Sequence, residues 1–191
     1  MQHSDKPLQE LKTAQLQIDA MRQVGSLDEF EEHWKEFLRR LERVWYKATN
    51  HFSRSPKWNG WKGKYEQARK KDPLLSYLKN ARGADEHTVG EISEREPGGI
   101  GINPAEGNSL YIEKMTINRG VINIQSPQKI RIAFIPAKMK LLPVTNSGQI
   151  YKVPTEHFGA EINPKNVIEI AEIAIEFYSK FLEEAEKYFV K

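Results

Sequence analysis

The chain contains no cysteine, which excludes both disulfide staples and thiolate metal sites. Its first residues, Met1 to Leu11, are polar and lack the apolar run of a signal peptide. No stretch approaches the ~20 consecutive apolar residues that a membrane span needs. His-Glu-x-x-His helices, calcium-loop patterns and aspartate clusters are also missing, so the sequence implies neither a metal nor a cofactor. Gly98-Gly99-Ile100-Gly101 has no strand before it and no lysine after it, as a phosphate loop requires, and reads as a flexible connection. These absences predict a soluble, cytoplasmic chain without a membrane partner. At 191 residues it is long enough for one large domain, or one domain with a sizeable insertion.

What the chain has is segregated charge. The net charge of +3 hides 13 Lys or Arg against 3 acidic residues between Arg39 and Arg82, a local excess of +10 that leaves −7 for the remainder. A field of that size attracts polyanions over about a Debye length, which points to RNA or another polyanion as partner. The alternative is that the lysine faces of ordinary helices are simply solvated. Aromatics interleave the basic run: Trp45, Tyr46, Phe52, Trp58, Trp61, Tyr65 and Tyr77. Trp45 and Tyr77 fit a helical core. Trp58 and Trp61 fall beside Pro56 and Gly60, where they either pack the loop onto the helices or offer bases a surface to stack on. The residues expected to meet a nucleic acid are Lys57, Trp58, Trp61, Lys62, Lys64, Arg69, Lys70, Lys71 and Lys79.

Helix signals dominate the first half. Asp5 and Pro7 start a helix that Gly25 ends, and Ser26 with Glu29 forms a capping box. Leu27, Phe30, Trp34, Phe37, Leu41, Val44, Ala48 and Phe52 then recur every three or four residues, the strongest amphipathic pattern present. A short basic helix is expected over 61–71 and another, capped by Asp72 and Pro73, over 72–92. From Leu110 to Val153 the pattern turns to β, with turns at Asn118-Arg119-Gly120 and Asn146-Ser147-Gly148. Asn163 and Pro164 then open a long apolar helix that should pack on the 27–52 helix. The expected fold is α+β: a bundle of four or five helices with a small inserted antiparallel β-sheet of three to five strands. By segment, 1–96 is the first part of the bundle, 97–160 the insertion, and 161–191 a C-terminal helix returning to the bundle.

The 72–92 helix also carries Arg82 and His87, a pair that can hold a phosphodiester and move a proton. About 0.8 arginine–histidine pairs at such spacing arise by chance in a chain of this composition, so their surroundings must decide their weight. Five steps of ~100° leave the two side chains about 140° apart on an ideal helix. They converge only if Gly83 kinks the helix or a second subunit contributes. The plain alternative is a solvated His87 paired with Glu91 and a surface Arg82. Glu156-His157, just before the last helix, is read as a capping or turn feature rather than part of a polar site.

A helical bundle bearing Arg82-Gly83-Ala84-Asp85-Glu86-His87 resembles the HEPN superfamily (higher eukaryotes and prokaryotes nucleotide-binding), over the helical parts alone. The resemblance implies a metal-independent endoribonuclease of a bacterial defence setting, either toxin–antitoxin or anti-phage, with a protein antitoxin or regulator as partner. It also implies a homodimer building a composite site, with His87 as general acid or base and Arg82 steadying the phosphorane. The second expectation, of a different class, is a non-catalytic nucleic-acid- or protein-binding module that uses the basic, tryptophan-bearing surface.

Overall fold

The structure is a computed structural model that describes residues 5–87 and 90–190, the side chains of Asp5 and His87 excepted. Its helices are α1 (Asp5–Gln23), α2 (Leu27–Phe52), α3 (Trp58–Lys71), α4 (Pro73–His87) and α5 (Val167–Phe189). Its strands are β1 (Ser93–Glu96), β2 (Gly99–Pro104), β3 (Lys114–Asn118), β4 (Val121–Gln125), β5 (Ile130–Ile135), β6 (Lys138–Leu141), β7 (Val144–Asn146), β8 (Gln149–Tyr151), β9 (Glu156–His157) and β10 (Ala160–Glu161). The chain divides into two compact units, one comprising Met1–Arg95 with Met139–Lys191 and the other Glu96–Lys138.

The helical unit forms as its patterns dictate. The Ser26 hydroxyl accepts the Glu29 N–H at 3.2 Å to start α2. The apolar stripe of α2 is buried from Trp34 to Phe52, against α1, α4 and α5. Phe181 of α5, fully buried, touches the rings of Trp45, Trp58, Trp61 and Tyr65 at centroid distances of 4.9–6.2 Å. On the other side of α2, Glu10 of α1 is nearly buried among Arg40, Arg43 and Lys47. Burial alone raises its pKa, but the bonds from Lys47 and Arg40 outweigh this and leave it below the usual glutamate range.

Three boundaries differ from the sequence expectation. Helix α3 starts at Trp58 rather than Trp61, because burying the Trp58 indole against Phe52, Phe181 and Phe189 outweighs the poor propensity of Gly60. Helix α5 starts at Val167, since Asn166 rather than Asn163 accepts the first orphan N–H, that of Glu169. Asn163 instead closes a turn on the Lys165 N–H at 3.0 Å. Helix α4 is assigned to His87, so the expected extension to Ile92 crosses residues 88–89, outside the described set.

The β part is not one sheet of three to five strands. Among the described residues it is five separate two-stranded pairings: β1–β6, β2–β5, β3–β4, β7–β8 and β9–β10. Gly99 and Gly101 lie within strand β2, not in a flexible connection. The pairs β3–β4, β7–β8 and β9–β10 turn through Arg119-Gly120, Ser147-Gly148 and Phe158-Gly159, each with two successive positive φ angles. Those are mirror-image turns whose twist matches the flanking strands. Only Glu96–Lys138 stands as a unit of its own, shorter than the 97–160 insertion expected; β7 and β9 pack on α4.

Candidate nucleic-acid interface

The corner between α3 and α4 is organised by one carboxylate. Asp72 follows Lys71 directly and is 5% exposed. Its Oδ1 accepts the Leu75 N–H at 3.0 Å and capping α4 is thereby complete. The same carboxylate accepts the Phe158 N–H at 2.7 Å and faces Nδ1 of His157 at 2.9 Å. Burial would raise its pKa, but His157 and the two backbone donors prevail and hold it below the usual aspartate range. The β9–β10 hairpin is thus pinned to the helix corner, and His157, in strand β9, makes a long-range contact with Asp72 rather than the local capping or turn contact expected.

Beside this corner lies an open cleft of about 830 Å³ between α3, α4 and the segment from Gln149 to Glu156. Lys70, Lys71, Lys79 and Lys152 line it, opposed by Glu66 and Glu156. Tyr151, Ser76, Asn80, Gln149 and Thr155 add neutral polar groups. Among the described residues none of the four lysines makes an ion pair. Lys79 projects from α4, whose opposite side carries the buried Leu74, Tyr77 and Ala81. Asn146 of β7 donates to Asn80 Oδ1 at 3.0 Å, and the Tyr77 hydroxyl donates to the Leu142 carbonyl at 2.8 Å. These bonds fix the β7–β8 wall on the helix.

The basic segment is much less free than its composition suggests. Arg39 meets Glu36 and Asp85, Arg40 meets Glu10 and Glu36, and Arg43 and Lys47 meet Glu10. Lys62 lies 3.9 Å from Glu66, and Lys64 meets Glu184 at 2.8 Å while covering the ring of Tyr65. Arg69 is 5% exposed and turned inward: it pairs with Glu42, donates from Nε to the Tyr178 hydroxyl at 3.0 Å, and lies over the Trp45 ring. Burial would lower its pKa, but Tyr178 and Glu42 raise it above the ordinary arginine value, so it stays charged within the core. It also borders the cleft described above, but Nε and one terminal nitrogen are turned to Tyr178 and Glu42. Trp58, 1% exposed, offers no face to a base. Trp61 is half-buried against Trp58, Tyr65 and Phe189. Lys57, at the start of α3, lines a separate depression with Trp61, Tyr188 and Lys187.

Arg82 is engaged on its own helix, with its guanidinium 2.7 Å from Glu86 one turn on. Helix α4 runs on through Gly83 without a break. Gly83 serves another purpose there: a Cβ would stand 2.5 Å from the Asn146 side-chain nitrogen, so glycine admits the β7 wall. The side chain of His87 falls outside the described residues. No group of three or more His, Asp or Glu is placed to hold a metal ion among the described residues, and no helix there is long and apolar enough to cross a membrane.

Sequence reasoning assembled Lys70, Lys71 and Lys79 but missed Lys152, Tyr151 and the exposed Phe158. No periodicity marks those three, which reach the corner only because their hairpins dock on α4. Compared with known proteins, the chain matches no family model, no curated protein and no solved structure.

Proposed function

We propose that this chain is a non-catalytic nucleic-acid-binding module that seats a phosphate backbone in the α3–α4–β8 cleft. The observation that carries this reading is the convergence of Lys70, Lys71, Lys79 and Lys152 on one open surface, uncompensated by ion pairs among the described residues. Phe158 adds an exposed ring beside the Asp72 corner, suited to stacking a base. RNA is the ligand class proposed, and a cytoplasmic setting belongs to the same proposal. About four phosphate contacts on a single strand give a log–log salt slope near −3. Fluorescence anisotropy with a labelled single-stranded RNA tests this. The double variant Lys70→Glu/Lys71→Glu should weaken binding at least ~10-fold at low salt and flatten the slope, while Lys64→Glu should change little. Wild-type affinity in the double variant overturns the reading.

A ribonuclease of HEPN type is the second reading, supported by Arg82 following Lys79 by one turn on α4. In it Arg82 leaves Glu86 to meet the phosphorane and His87 transfers the proton. Incubation with RNA in chelator decides it: cleavage lost in both Arg82→Ala and His87→Ala supports catalysis, and intact RNA with the wild type excludes it.

A further inference from the structure

The Glu96–Lys138 unit is two antiparallel ribbons formed by one excursion of the chain. The first pairs β2 with β5; the second pairs β3 with β4 beyond it, and the Ala105 N–H to Lys129 O and Glu113 N–H to Gln125 O bonds, both 2.9 Å, lie between. Registers sort the side chains. Opposite residues share a face, so Ile100 with Phe134, Ile102 with Ile132, and Pro104 with Ile130 make one apolar face. On the second ribbon Met115 with Ile124 and Ile117 with Ile122 do the same. The reverse faces hold Asn103, Arg131, Lys114, Thr116, Asn118, Asn123 and Gln125, with Ala133, Ile135 and Val121 at their sides and ends. This is the alternation of a sheet with one side buried, yet no second layer covers it within the unit: Phe134 is 83% exposed and Ile117 66%.

We propose that the apolar face of this arm packs against the same face of a second copy of the chain, making a two-layer homodimer. Two observations choose a second copy as occupant. The face carries no charge at all, so two-fold stacking opposes no like charges, the condition an isologous contact must meet. Its exposed apolar area, roughly 600 Å² per copy, gives about 1,200 Å² for the pair, the size at which specific interfaces become stable. A lone two-stranded ribbon is marginal in water, and a second layer supplies the cover it lacks. This dimer is independent of the cleft and of the RNA reading.

Sedimentation of the full chain at about 20 μM tests the proposal, with a mass twice the 22.1 kDa of one chain expected. Phe134→Asp and Ile132→Asp should weaken dimerisation at least ~30-fold and return the monomer mass with helical circular dichroism unchanged. Thr116→Asp, on the polar face, should remain dimeric. Because the chain lacks cysteine, a second readout is clean: with stacked sheet faces about 10 Å apart, a bis-maleimide of that reach should link Ile132→Cys, mid-face, into a covalent dimer, whereas Thr116→Cys should stay unlinked. A monomeric wild type at that concentration overturns the proposal. So does a dimer that survives both aspartate variants, or equal cross-linking from the two cysteine positions.

Discussion

Arg69→Met is the variant whose consequence the structure specifies most fully. It would leave the Glu42 carboxylate, 6% exposed, buried without its cationic partner. It would also strip the Tyr178 hydroxyl of the Nε donor and remove the guanidinium 4.3 Å from the Trp45 ring centroid. Removing one member of a buried pair costs about 3–5 kcal/mol, because the uncompensated charge remains. Methionine replaces most of the stem volume, so little of the loss comes from a cavity. The double variant Arg69→Met/Glu42→Leu removes both charges and should recover most of that loss, giving a coupling of about 3 kcal/mol in the cycle. Urea unfolding followed by circular dichroism measures each corner. A single variant that loses less than about 1 kcal/mol would refute the buried network and return Arg69 to the surface, as a phosphate ligand.

Two further outcomes follow from the α3–α4 corner. Asp72→Asn keeps the cap but removes the charge facing His157, so at neutral pH it should cost about 1–2 kcal/mol. The Asp72 pKa is depressed by folding, so its contribution is present above the unfolded aspartate value near 3.8 and fades as pH falls through the lower folded value. Urea midpoints of the two proteins should therefore converge below about pH 4, and a gap constant down to pH 2 would contradict this. Gly83→Ala should be close to neutral, because ~1 kcal/mol of helix propensity is offset by displacing Asn146 from Asn80. In an Asn146→Ala background the same change should gain about 1 kcal/mol, and equal effects in both backgrounds would mean that the contact is not made.

The elements legible in the sequence are those whose signals are local. Ser26 and the stripe from Leu27 to Phe52 specify α2 with no reference to the rest of the chain, and Arg119-Gly120 and Ser147-Gly148 specify their turns equally well. Trp58 and Arg69 misled because a helical sequence states only that a side chain lies on some face. Which face becomes core was decided by α5, more than a hundred residues later. Likewise three of the cleft's lysines were visible as a charge run, but Lys152 joins them through the docking of β7–β8, a long-range event without a sequence period. The acidic partners that neutralise the rest of the run, Glu10, Glu42 and Glu184, also come from other elements or an opposite face.

The position of Phe181 in the core has a consequence for the order in which the chain acquires its structure. Trp45, Trp58, Trp61 and Tyr65 all close on that one ring, and α5 emerges from the ribosome only after every strand has been made. Until then α2 and α3 display a wide aromatic surface to water, the kind of transient exposure that draws chaperones and favours misassociation. The α-helical core is therefore closed last, by its most distant segment, even though its other walls are synthesised first.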